Sequence, residues 1–98
     1  MRIIWSPLAL ERATEIVEYI AQDNISAAKK WINTVFEKVG QLELFPNSGR
    51  IVPEIEHEKF RELLYVNYRI IYQVAKKQVN ILTIRHGKQV LPLEEIIA

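Results

Sequence analysis

The sequence predicts a two-layer α+β domain of order β-α-α-β-β-β, with a helical hairpin over one face of an antiparallel three-strand meander and a short C-terminal tail. Three observations lead there. Apolar residues recur at helical spacing in two stretches between Ala9 and Leu42, parted by a short break at Asp23-Asn24. β-Branched and aromatic residues then crowd three runs, Phe60 to Val66, Tyr68 to Val74 and Val79 to Ile84, broken only at Val66-Asn67 and at Ala75-Lys76-Lys77-Gln78. Each element has one apolar face, and laying the hairpin across the sheet buries both sets at once.

Arg2 to Trp5 is a short apolar run, read as an edge or companion strand. Ser6-Pro7 is a helix start, because the serine hydroxyl accepts from an orphan amide and proline at the first helical position loses no hydrogen bond. Ala9, Ala13, Ile16, Val17 and Ile20 form the stripe of a first helix that ends near Gln22-Asp23. Ala28, Ile32, Val35, Phe36, Val39 and Leu42 form that of a second, and the short connection makes the two an antiparallel pair. Gly40 costs that helix roughly 1 kcal/mol relative to alanine and marks a candidate close approach. Pro46 stops the helix and Asn47-Ser48-Gly49-Arg50 is a turn. Ile51 to Glu58, with Pro53 and three acids, reads as a connector wrapped over the surface. After the strands, Gly87-Lys88-Gln89 turns the chain and Pro92 opens the tail, whose Ile96 and Ile97 either cap the core or stay exposed for a partner.

Ninety-eight residues, 49% apolar and 26% charged, make a single domain spanning 1–98 with one modest core. No run is long and apolar enough to cross a bilayer, and a cytoplasmic protein is expected. The absence of cysteine excludes thiolate catalysis, disulfides and cysteine-based zinc sites. His57 and His86 are too few for a histidine cluster, so neither a metal nor another cofactor is expected.

The net charge of +1 hides an asymmetry. Residues 59–90 hold seven bases against Glu62 alone, a balance of +6, and the remainder holds six bases against eleven acids, a balance of −5. A basic sheet attached to acidic helices suggests a polyanion or an acidic partner on the sheet side. Alternation places Arg69 with Ile71 and Gln73 on one face of the middle strand, opposite Tyr68, Ile70, Tyr72 and Val74. By the same count Arg61 shares a face with Leu63 and Tyr65, and Arg85 shares one with Thr83, Ile81 and Val79. A guanidinium among apolar pleats must stay wet or be paired, so Arg61, Arg69 and Arg85 are expected to engage another macromolecule from a sheet face left free beside the tail. Lys76 and Lys77 suit a solvated hairpin tip, and Trp5 and Trp31 suit packing.

Taken together, Trp5-Ser6-Pro7 with Ala9, Ile16 with Tyr19-Ile20-Ala21, Asp23-Asn24 before Ala27-Ala28, Leu42 with Phe45-Pro46, Gly49-Arg50, Arg61, Tyr68-Arg69-Ile70-Ile71-Tyr72, and Ile81-Leu82 with Arg85-His86-Gly87 resemble the RelE/ParE superfamily of type II toxin-antitoxin toxins, nearer its ParE-like branch. The resemblance runs almost the whole length. It implies the two-layer RelE/ParE-like fold and a growth-inhibiting toxin of a plasmid-stabilisation or addiction pair. Such a toxin is held inactive by a cognate antitoxin encoded beside it, in a toxin-antitoxin hetero-oligomer or with a homodimer as a further state. It also implies a target: DNA gyrase in one branch, messenger RNA on the ribosome in the other.

Metal-free RNA cleavage needs a base for the 2′-hydroxyl, cations for the transition-state phosphate and an acid for the leaving oxygen. Arg61, Arg69, His86 and Lys88 are the candidates for that chemistry, with Lys59 an alternative to Arg61. Two departures from the cleaving branch tell against it. Gln89 stands where that branch has an arginine, and no tyrosine follows Tyr72. His86 at a strand end equally suits a hydrogen bond to neighbouring backbone, Arg69 a pairing with Glu62 or a stack on Tyr68, and Arg50 a fastening of the connector. The leading expectation is therefore a ParE-like, gyrase-type toxin that is not an enzyme, whose antitoxin or target meets Arg61, Arg69, Arg85, His86, Lys88, Ile96 and Ile97. A ribosome-dependent endoribonuclease and a non-toxic antitoxin-binding member are the alternatives. A toxin made to be covered is also expected to expose an apolar patch of roughly several hundred Å2, beyond what ordinary monomers show.

Overall fold

Ser6 fastens the helical layer to the sheet. In the computed structural model, which describes residues 1–97 and side chains through Ile96, its hydroxyl accepts from the Ala9 amide at 3.0 Å and donates to the Leu82 carbonyl at 2.9 Å. Helix α1 (Pro7–Asp23) starts there. Asn24 both ends α1 and starts α2 (Ile25–Gly40): its amide donates to Ile20, and its side chain accepts from the Ala27 amide at 3.0 Å. One residue thus makes the whole connection of the helical hairpin. Gly40 is the last residue of α2 and no atom would approach a Cβ there within 4 Å, so the close approach expected of it is absent. A 3-10 turn, Gln41–Glu43, carries the chain on to Pro46.

The sheet has five strands where the meander accounted for three. β1 (Arg2–Trp5), β2 (Arg50–Ile51), β3 (Phe60–Tyr65), β4 (Tyr68–Val74) and β5 (Gln78–His86) lie in the order β1-β5-β4-β3-β2. β1 pairs parallel to β5, and the helical hairpin belongs to the long connection such a pair requires. Arg50 and Ile51, expected as a turn and a connector, pair with Glu62 and Arg61 as a two-residue edge strand.

The helix-covered face is apolar along its middle. Ala9, Ala13, Trp31, Val35, Val39 and Leu42 meet Ile70, Tyr72, Val79, Ile81 and Ile84. Trp31 packs edge-on to Tyr68 at 5.3 Å, and Trp5 to Phe36 at 5.2 Å, both as packing residues. A bulge in β5 corrects the alternation read from the sequence: Ile71 faces Thr83, yet the next residue, Tyr72, faces Ile81. The extra residue, Leu82, moves Ile81 and Val79 to the helix side while Thr83 and Arg85 stay on the other.

That other face is not free. Val52, Ile71, Leu91 and Ile96 form a second buried cluster with Ile55, Phe60 and Leu82 around it. The connector and the tail helix α3 (Glu94–Ile97) supply its outer layer, so the connector is core at Val52 rather than surface wrapping. Ile96 caps this cluster, whereas the Ile97 side chain lies outside the described residues. No described helix is long and apolar enough to cross a membrane.

Candidate functional site

Glu62 alternates onto the second face and is wholly buried there. A lone carboxylate at that depth is unfavourable unless charge and hydrogen bonds compensate it, and two arginines do so. Arg69, a diagonal neighbour on β4, donates its Nε to Glu62 at 2.6 Å, and Arg50, directly opposite on β2, donates its own Nε. The remaining fork of Arg69 meets Glu54 of the connector in a bidentate pair at 2.7 and 2.8 Å. Hydrogen bonds to Glu54, then Glu62, hold the Arg69 pKa above the ordinary arginine value despite burial, and the bond from Arg69 holds Glu54 below the usual carboxylate range. Arg69 is therefore an internal tie with an 8% exposed side chain, not the partner-seeking cation expected.

Arg85 is engaged more loosely, with its side chain 21% exposed. Its Nη1 lies 3.4 Å from Glu95 of α3, which also accepts from Arg12 of α1 at 3.1 Å and from Thr83 at 2.9 Å. Burial pushes the Glu95 pKa up, but the Arg12 and Thr83 hydrogen bonds and the Arg85 charge outweigh it, and the net shift is downward. Arg61 forms no ion pair among the described residues. It donates instead to the carbonyls of Glu58, Asn47 and Gly49, holding the loop before β2. The same loop is closed by Tyr72, whose hydroxyl donates to Pro46 at 2.8 Å and accepts from the Gly49 amide at 2.9 Å. A Cβ at Gly49 would lie 2.6 Å from both the Glu62 carbonyl and that hydroxyl, so only glycine fits.

The four candidates for RNA chemistry do not converge. Arg69, His86 and Lys88 line a cavity of about 500 Å3 with Arg50, Pro53, Glu54, Leu64, Val66, Asn67, Tyr68 and Gly87. Arg61 opens with Lys59 onto a different concavity, four β4 positions away from the Tyr68–His86 pair. His86 accepts the Lys88 amide on Nδ1 at 3.2 Å, as expected of a strand-end histidine, and packs edge-on to Tyr68 at 5.4 Å. Burial, then the neighbouring Tyr19, raises the Tyr68 pKa, so its phenol stays protonated at neutral pH. Ile96 is buried in the tail cluster and is not presented to a partner.

Sequence reasoning missed Glu54 and Glu95 as the groups that neutralise Arg69 and Arg85. The available signal was the charge asymmetry itself. An excess of bases in the strands and of acids outside them is also the pattern of acids folding back onto strand arginines. Arg50, expected to fasten the connector, does so through Glu62. Exposed apolar side chains include Leu64 and Val66 at the cavity, Leu44 and Phe45 before β2, and Val90 and Leu93 in the tail.

Comparison with known proteins fits this geometry. The family profile described as "ParE toxin of type II toxin-antitoxin system, parDE" matches residues 3–91. The Sinorhizobium fredii protein described as "Putative toxin Y4kP" is 34% identical over 91 residues, covering 93% of each chain. A chain of the chromosomal ParDE toxin-antitoxin system from P. aeruginosa superposes with a TM-score of 0.73, at 23% identity over 90% of this chain and 97% of that one, a likeness of fold. With a family profile spanning nearly the full sequence and a full-length relative above 30% identity, the chain belongs to the ParE toxin family of type II toxin-antitoxin systems.

Proposed function

We propose that this ParE-family toxin arrests growth by acting on a protein target of the DNA gyrase type, and that a cognate antitoxin neutralises it by binding the toxin directly. The observation that carries the reading is the internal pairing of Arg69 with two carboxylates. Its Nε and both terminal nitrogens already donate to Glu62 and Glu54, three of its five N–H groups, and these two carboxylates neutralise the charge that a transition-state phosphate would need. Catalysis by positioned charge needs donors aimed at the reacting group. With Arg61 engaged by carbonyls elsewhere and Gln89 in place of an arginine, Lys88 is the one cation left beside His86 among those candidates.

Induced expression without the antitoxin is expected to stop growth, trap gyrase on cut DNA and induce the DNA-damage response. Undisturbed supercoiling in arrested cells would remove gyrase from the reading. Normal growth would leave antitoxin binding as the remaining property.

One observation favours RNA cleavage as the second reading. Tyr19, Tyr68, Arg85 and His86 line a groove of about 400 Å3 between α1 and β5, which gathers two phenols, an imidazole and a guanidinium. Under that reading His86→Ala abolishes cleavage of ribosome-bound message with the fold intact. Intact message in arrested cells excludes it.

A further inference from the structure

Val66 does nothing for the interior of this protein and is held in an unfavourable conformation. It is the first residue of the two-residue turn between β3 and β4, with φ of 53° and 74% of its surface exposed. A β-branched residue rarely takes a positive φ, and glycine serves such turns without strain. Strain of this kind concentrates where a segment is kept for binding. Leu64, two residues earlier and 51% exposed, points to the same side and lines the same 500 Å3 cavity, whose wall Pro53 continues. Two cations with unused donors flank these apolar groups. Arg50 uses only Nε, on Glu62, and the exposed Lys88 ammonium has no partner among the described residues. The cavity lining sets Arg50, Arg69 and Lys88 against Glu54, and Glu62, buried behind the lining, pairs with both arginines, so one net positive charge remains.

We propose that this cavity receives an apolar-acidic segment of the antitoxin, with Leu64 and Val66 taking an apolar side chain and Lys88 and Arg50 taking a carboxylate. The inference rests on the toxin-antitoxin reading above and adds the place and chemistry of docking. A peptide fits better than a nucleic acid because one net charge cannot neutralise a run of phosphates, while the exposed leucine and valine suit an apolar residue. Strain at Val66 keeps its side chain projecting, a cost to the free toxin that is recovered when the partner covers it.

The test titrates purified toxin with the product of the adjacent short open reading frame and follows binding by calorimetry and melting by circular dichroism. Val66→Gly is expected to raise Tm by a few degrees while weakening binding about tenfold. Leu64→Asp is expected to weaken it by at least about tenfold, and Lys88→Glu similarly, with a flatter salt dependence. Lys77→Glu, the same charge change at the far hairpin, leaves affinity unchanged. Wild-type affinity in both Leu64→Asp and Lys88→Glu overturns the site while leaving the toxin-antitoxin reading standing. Displacement of the bound product by an oligouridylate likewise overturns the peptide assignment. A wild-type toxin that binds no such product overturns the pairing and the site with it.

Discussion

The two faces of the sheet solve burial differently. On the helix side, Val35, Val39, Leu42, Ile70, Tyr72 and Ile81 reach almost zero exposure, and the one phenol among them finds both its hydrogen-bond partners in a backbone loop. On the tail side, four buried apolar residues are accompanied by a carboxylate, a guanidinium and a hydroxyl that are nearly as deep. Dispersion and water exclusion hold the first face, and it tolerates volume-conserving change. The second is held by a chain of charge, Arg50 to Glu62 to Arg69 to Glu54, in which each member depends on the next. An arginine on a pleat is therefore weak evidence of recognition until the carboxylates within reach have been counted.

The largest effect expected is at Glu62. Glu62→Ala leaves the Arg69 guanidinium buried beside an empty site and should cost about 3–5 kcal/mol in urea unfolding. Pairing Glu62→Leu with Arg69→Met should recover much of that loss, because removing both charges also removes their desolvation. A double variant no better than the single would show that the chain of charge contributes net stability here.

Ile70→Ala, at the centre of the helix face, should cost about 2–5 kcal/mol through lost transfer energy and the cavity left behind. It has no partner substitution that restores it, which is the contrast between the faces in its sharpest form. Glu95→Gln should cost only about 1 kcal/mol, since the amide can still accept from Thr83 and the guanidiniums of Arg12 and Arg85 keep access to water.

The smallest effect is in pH. Glu54 and Glu95 both titrate below their ordinary range in the folded protein. The unfolded chain then binds more protons as pH falls below about 4.3, so their contribution is complete above that value and is lost as pH drops through the lowered folded values. The Glu54→Gln, Glu95→Gln double variant should show a flatter Tm profile between neutral and acid pH than wild type.

Much of the architecture could be read from local pattern because local physics makes it. Ser6-Pro7 starts a helix whatever follows, and Asn24 caps because its side chain reaches an amide three residues on. Alternation placed Ile70 and Tyr72 inward, and short turns dictated antiparallel neighbours. The β5 bulge was not legible, since nothing local distinguishes Leu82 from the other apolar residues of that strand. Nor was β2, whose two residues are strand only because β3 lies beside them.

The order of elements, the helix caps, the meander and the family likeness were all present in the linear chain, because they depend on neighbours within about four residues or on a period of two. Only folding decided that Glu54 and Glu95 reach Arg69 and Arg85 across 15 and 10 positions, and that Gly49 sits against Tyr72 across 23. An ion pair between distant residues leaves no periodic trace, since its partners are chosen by where the connector and the tail come to rest on the sheet. For that reason the arginines, and the Arg69–Glu62 pair across one hairpin, could be found in the sequence, but Glu54 and Glu95 could be assigned only in three dimensions.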